Sequence, residues 1–158
     1  MFNQLFLLIR NHRWWDEMLE VNYHKLGEVS DEKLEFAIIG TSFCDKWVFV
    51  KHKDRTTWEI PGGHREDGED INHTAKRELY EETGAKGCDV IPICEYSVTI
   101  DNNTRYGRVF YAEAEKIGDL PNMEIKEVAV FHELPENLTY KEIQPIIFEK
   151  LLDWQKNI

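Results

Sequence analysis

Cysteine is scarce in this chain: Cys44, Cys88 and Cys94 are the full complement, and no two of them form a C-x-x-C pair. That pattern excludes a secreted disulfide framework and a zinc ribbon, and a reducing cytoplasm is the expected compartment. Positive charge is short as well, with 19 lysines and arginines against 30 acidic side chains and a formal net charge of −11. Polymeric nucleic acid is therefore disfavoured as a partner, because cations that neutralise phosphates dominate such affinity. A small anionic ligand stays admissible where a divalent cation reverses the local field. Long apolar runs are also missing. The patch Leu5 to Ile9 is too short to cross a bilayer, with no basic residue ahead of it and no small-residue cleavage site behind, so neither a membrane span nor a signal peptide is expected.

What is present reads as one domain over residues 1–158, with residues 1–30 as an N-terminal extension packed on it. Residues 1–20 carry Phe2, Leu5, Phe6, Trp14, Trp15, Met18 and Leu19, which suit a short helix or arm. Those aromatics would suit a homodimer contact, and a monomer with a tucked arm accommodates them equally well. Short β-type runs begin at Phe36 to Thr41 and Trp47 to His52, separated by a turn at Cys44 and Asp45, which predicts a hairpin. A run at Trp58 to Ile60 ends at Pro61-Gly62-Gly63, where the chain is expected to leave any sheet. Further strands are expected at Val90 to Ile100, Arg108 to Glu113 and Val128 to Phe131. One helix should start from Asp70 as N-cap and stop at Gly84. A second is expected within Tyr140 to Gln155, entered through a Thr139/Glu142 capping box or with Pro145 in its first turn. The class is α/β, a mixed sheet with helices on its faces.

Chemistry concentrates between Gly63 and Ala85. On a helix, Glu78, Glu81 and Glu82 stand at i, i+3 and i+4, so their carboxylates are expected to project as one acidic ridge. Like charges at that spacing repel, and a hard cation removes the conflict. Mg²⁺, or Mn²⁺ in its place, prefers oxygen ligands and bridges carboxylates to substrate phosphates. Arg77 lies four residues before Glu81, placed to orient a glutamate through its rigid guanidinium fork. Gly62 or Gly63 could bring a backbone carbonyl to the metal, because no Cβ obstructs the approach. A single such glutamate is most often a solvated face. With each fixed residue type at about 7%, seven fixed positions coincide by chance on the order of 10⁻⁸ per window.

Gly63, Glu69, Arg77, Glu78, Leu79, Glu81, Glu82, Gly84 and Ala85 fill, in order, the pattern G-x5-E-x7-R-E-U-x-E-E-x-G-U, with U apolar. The segment resembles the Nudix box. The resemblance implies the α/β/α Nudix sandwich, a single Nudix domain, and Mg²⁺-dependent hydrolysis of nucleoside diphosphates linked to another group. It also implies metal ligation by Glu78, Glu81 and Glu82, and the Gly63 carbonyl is a candidate ligand beside them. Catalytic roles are expected for Glu78, Arg77 and Glu81. Glu78 is the candidate general base, with Glu124 or Glu127 in reserve.

Outside the box, Trp58 is a candidate for stacking on a nucleobase, though a strand-core role suits it as well. Arg105 and Arg108 are candidates for holding phosphate or ribose, against an ordinary role as solvated strand-end charges, and Glu127 joins them as a candidate substrate contact. The stretches Trp58 to Gly63 and Glu133 to Tyr140 resemble bacterial Nudix enzymes that remove oxidised purine nucleoside triphosphates. That resemblance ranks an 8-oxo-dGTP-type diphosphatase first and an ADP-ribose or dinucleotide pyrophosphatase second. An isopentenyl-diphosphate isomerase would need a catalytic cysteine with flanking residues that none of the three has. A nucleotide-sensing Nudix domain without catalysis is disfavoured by the complete box.

Overall fold

The computed structural model describes residues 18–121 and 124–158. Of the arm expected over residues 1–20, residues 1–17 lie outside them. Seven strands form one mixed sheet: β1 (Leu19–His24), β2 (Leu34–Phe43), β3 (Lys46–His52), β4 (Gly62–His64), β5 (Val90–Ile100), β6 (Asn103–Glu113) and β7 (Ile125–Phe131). Among the described residues two α-helices, α1 (Ile71–Thr83) and α2 (Gln144–Gln155), lie on its two faces. The sheet order is β1-β5-β6-β2-β3-β7, with β4 on a branch beside β2, and β2–β6 is parallel while the other pairs are antiparallel.

Each helix is docked by its own apolar set. Ile71, Ala75 and Leu79 recur at i, i+4 and i+8 along α1 and pack on Ala37, Ile39, Phe110 and Ala112. Alanine at three of those contact positions lets the helix lie close to the sheet, and the opposite flank of α1 is left to its charged residues. On the other face, Ile147, Phe148 and Leu151 of α2 meet Trp47, Phe49 and Tyr111 in an aromatic-rich core. Both ends of α1 follow the sequence: Asp70 Oδ1 accepts the His73 N–H at 2.9 Å, and Gly84 closes the helix in the left-handed conformation at φ 76°.

The β2–β3 hairpin turns through Cys44 (φ 50°) and Asp45 (φ 60°), the double left-handed conformation of a tight turn matched to strand twist. Only Ser42–Trp47 and Phe43–Lys46 pair across it before the two strands part. Into the opening comes the segment 59–64. Glu59 bridges Val50, Ile39 N–H donates to the Pro61 carbonyl at 2.8 Å, and Gly62–His64 adds to β2 as β4.

Trp58 to Ile60 is not a strand but a pair of isolated bridges, Val50–Glu59 and Trp58–Leu138. Pro61-Gly62-Gly63 does not leave the sheet. The proline keeps its carbonyl for Ile39, and the glycines supply a strand where a side chain would not fit, since a Cβ on Gly62 would overlap the Ala37 carbonyl oxygen. Strand β6 begins five residues before Arg108, because Asp101 (φ 48°) and Asn102 (φ 64°) make a second tight turn that joins it to β5. The last helix starts at Gln144 with Pro145 in its first turn, and residues 140–143 form a turn with no side-chain cap. Leu19–His24 pairs with β5 over six residues as the sheet edge.

Candidate active site

Splaying of β2 from β3 brings three elements to one place: the flank of α1, the β4 glycines, and the end of β3. Glu82 is the hub, with a side chain buried at 5% exposure. Its Oε1 accepts the Gly62 N–H at 2.7 Å, and its Oε2 lies 3.0 Å from His52 Nε2. The same imidazole nitrogen lies 3.3 Å from Glu59 Oε2. Arg55 pairs with the other Glu59 oxygen and also donates to the Tyr140 hydroxyl at 2.8 Å.

One turn earlier, Arg77 gathers the remaining carboxylates. Its Nε and one terminal nitrogen clamp Glu69 at 2.5 and 3.1 Å, and the latter also donates to the His64 carbonyl at 3.0 Å. Its other terminal nitrogen reaches Glu78 at 2.8 Å and Glu81 at 3.2 Å. Glu78 packs directly on Gly63, where a Cβ would overlap its carboxyl group.

The expected single ridge is therefore divided. Glu78 and Glu81 meet at one nitrogen of Arg77, whereas Glu82 turns to His52 and Gly62, each cation drawing part of a set of mutually repelling charges. Among the described residues, no three His, Cys, Asp or Glu side chains already enclose a common point. The donor chemistry nevertheless suits a hard dication: only carboxylate oxygens on the flank of α1, and a backbone cradle at Gly63 that a Cβ would fill.

Electrostatics separates these carboxylates sharply. Arg77's hydrogen bond pulls Glu69 down to about 2, with Thr74 and the Glu66 amide helping against burial. Burial, then the charge of Glu82, pushes Glu78 up to about 8 despite Arg77. Glu82 is also raised, by burial foremost and by Glu59, against the pull of His52 and Gly62. Burial disfavours the charged imidazole of His52, yet its hydrogen bonds to the Glu59 and Glu82 carboxylates hold its pKa up to about 10. Glu59 itself is lowered, because His52 and Arg55 outweigh its burial.

The candidates outside the box are dispersed. Trp58 stacks edge-on against Phe131, and the Lys51 ammonium sits 4.2 Å above its ring and 3.3 Å from Glu127. Trp58 and Glu127 are thus linked through Lys51. Arg105 is clamped by Glu35 at 2.9 and 2.6 Å and lies over Phe36. Arg108 pairs with the buried Glu95 at 2.7 Å and reaches Asn72 of α1 at 3.4 Å. Glu124 lies just ahead of β7, its carbonyl accepting the Lys53 N–H at 2.9 Å. His52, Glu59 and Arg55 were not singled out from sequence. The available signal was Glu59 itself, an acid between Trp58 and Ile60 in a short β-type run.

The NUDIX domain family model matches residues 36–151, which include the box, the glycine strand, α1 and α2 as far as Leu151. The chain belongs to the Nudix family. A Bacillus subtilis (strain 168) protein, YtkD, named as a candidate 8-oxo-dGTP diphosphatase, is 36% identical over 98 residues. That alignment covers 61% of this chain and 61% of YtkD, so the chain spans about three-fifths of this relative. Among solved structures, the Bacillus subtilis pyrophosphohydrolase BsRppH, crystallised as a point mutant, superposes with a TM-score of 0.70 at 26% identity, covering 87% of this chain and 91% of that one. A UDP-X diphosphatase superposes with a TM-score of 0.66 at 21% identity over 85% and 68% of the two chains, a likeness of fold. The α/β/α architecture of this Nudix protein agrees with both solved structures. Among the described residues no helix is long and apolar enough to cross a membrane.

Proposed function

We propose that this Nudix protein is a cytoplasmic, Mg²⁺- or Mn²⁺-dependent nucleotide pyrophosphohydrolase acting on a purine nucleoside triphosphate of the 8-oxo-dGTP type. The observation that carries the reading is the pairing of a complete glutamate set, Glu78, Glu81 and Glu82, with the glycine strand that Glu78 and Glu82 touch directly. The similarity to YtkD supports the substrate class.

Glu78, Glu81 and Glu82, with the Gly63 carbonyl, would hold the cation. When bound, it neutralises the diphosphate and stabilises the leaving oxygen. Arg77 holds Glu78 and Glu81 in place from one nitrogen and ties them to the His64 carbonyl next to Gly63. Glu78 Oε1 takes the Arg77 hydrogen bond, so Oε2 is the atom assigned to receive the proton of the attacking water. Water adds to phosphorus, the bond to the bridging oxygen breaks, and nucleoside monophosphate and pyrophosphate leave. Trp58 and Glu127 are assigned to the nucleoside, and Arg105, whose partner Glu35 is part-exposed, to phosphate or ribose. Arg108, tied to a fully buried acid, ranks last of the four.

The test is a panel of 8-oxo-dGTP, dGTP, ADP-ribose, NADH and diadenosine polyphosphates, with and without EDTA, read by released phosphate or pyrophosphate. Rapid, EDTA-sensitive release of pyrophosphate from 8-oxo-dGTP is the expected result. Preference for ADP-ribose or a dinucleotide would move the substrate, turnover indifferent to EDTA would defeat the metal assignment, and binding without turnover of any member would make the domain a sensor.

A further inference from the structure

We infer that His52 is a positioning residue for Glu82, fixing the rotamer in which that carboxylate serves the proposed cation site. This rests on the metal role proposed above. Glu82 has two oxygens and each is taken by a different element: the Gly62 amide at 2.7 Å and the His52 imidazole at 3.0 Å. A carboxylate held at both oxygens has one available orientation, whereas a single amide contact would leave it free to rotate about the bond to that oxygen.

The imidazole is itself held. Its Nε2 lies 3.3 Å from Glu59, Glu59 is locked to β3 by paired backbone hydrogen bonds with Val50 (2.9 Å each way), and its second oxygen takes Arg55. Arg55 ends on the Tyr140 hydroxyl, which belongs to the core under α2. A polar chain thus runs Tyr140–Arg55–Glu59–His52–Glu82 from one face of the sheet to the other, through the opening where β2 and β3 part. Neither a hydrophobic contact nor a surface ion pair would need that length of support, since partners behind a ligand serve to orient it.

The full chain should be titrated with Mn²⁺ alone and free ion followed by electron paramagnetic resonance, comparing wild type, His52→Gln and His52→Asn. Glutamine places an amide nitrogen where Nε2 stands, and asparagine falls one methylene short. His52→Asn should bind Mn²⁺ at least ten-fold more weakly, and His52→Gln should stay within about three-fold of wild type. Equal affinity for wild type and His52→Asn, or equal weakening in both variants, overturns the role. Should His52→Asn not fold, Glu59→Gln decides, because it withdraws the charge that holds the imidazole without changing side-chain size: several-fold weaker Mn²⁺ binding supports the role, and unchanged affinity overturns it. Because no nucleotide is present, Mn²⁺ binding with this pattern but no turnover in the substrate panel would defeat the proposed function alone. Turnover with His52→Asn binding Mn²⁺ like wild type would defeat this inference alone.

Discussion

Of the buried acids, Glu95 and Glu82 differ in their surroundings. Glu95, with 0% exposure, accepts from Arg108 at 2.7 Å and from the Gly27 and Val29 amides at 3.0 and 2.8 Å. Burial raises its pKa, but Arg108 and the two amides more than reverse that, so it stays charged. Glu82 is nearly as buried and has an amide and an imidazole, yet its pKa rises, because burial and the neighbouring acid Glu59 prevail. Glu78 behaves alike. A buried charge whose donors outweigh its desolvation is structure, anchoring the loop between β1 and β2. A buried charge left under-compensated is destabilising to the fold, and such strain is found where a ligand completes the set.

The comparison breaks first at Glu95. Replacing it by alanine strands Arg108 at 13% exposure and frees two amides, and should cost about 3–5 kcal/mol in urea unfolding. A loss below about 1 kcal/mol would mean that its donors find other partners and that Glu95 is no anchor. Next in size, Glu82→Gln should cut kcat/KM by about a hundred-fold, as expected for losing a ligand, while leaving the urea midpoint unchanged or higher. If Glu82→Gln instead destabilised the protein as strongly as Glu95→Ala, the two acids would be alike and the distinction would fail.

The adjacent glycines sharpen the contrast within one strand. A methyl on Gly62 meets the Ala37 backbone, which cannot move cheaply, while a methyl on Gly63 meets the flexible end of Glu78. Gly62→Ala should therefore lower stability by about 1–3 kcal/mol. Gly63→Ala should cost turnover, by about ten-fold, with stability nearly kept. Kinetics and urea unfolding on both variants separate these outcomes, and a Gly63→Ala enzyme with full turnover would remove the glycine cradle from the site.

Much of this was legible in the sequence wherever a rule is local. Asp70 and Gly84 bound α1 because capping involves residues within one turn, and Cys44-Asp45 marks a hairpin because the apolar runs on either side have similar lengths. The Nudix box was readable for the same reason, lying on one helix and the loop before it. The entry of Glu59 to His64 between β2 and β3 was not, because strand pairing across 24 to 28 residues leaves no periodic trace. That insertion is what puts Glu59 against His52, and His52 lies 30 residues from Glu82, so the polar chain behind the site could not be read from spacing. The divided ridge was missed for another reason: helical geometry places Cβ atoms, whereas Arg77 and His52 decide where the carboxylates turn.

The smallest effect concerns Glu69, the box acid that resembles Glu95 more than Glu82. Arg77 clamps it, and its pKa falls to about 2. Since that value lies below the one in the unfolded chain, near 4.3, the clamp stabilises the folded state at neutral pH. The contribution is full above about pH 4.3 and is lost as pH falls toward 2. Allowing for solvent screening, it amounts to about 1 kcal/mol. Unfolding free energies measured at pH 6 and pH 2.5 should therefore fall by about that much less in Glu69→Gln than in wild type. Equal acid losses in the two proteins would place Glu69 with the under-compensated acids, as a group that Arg77 touches without stabilising.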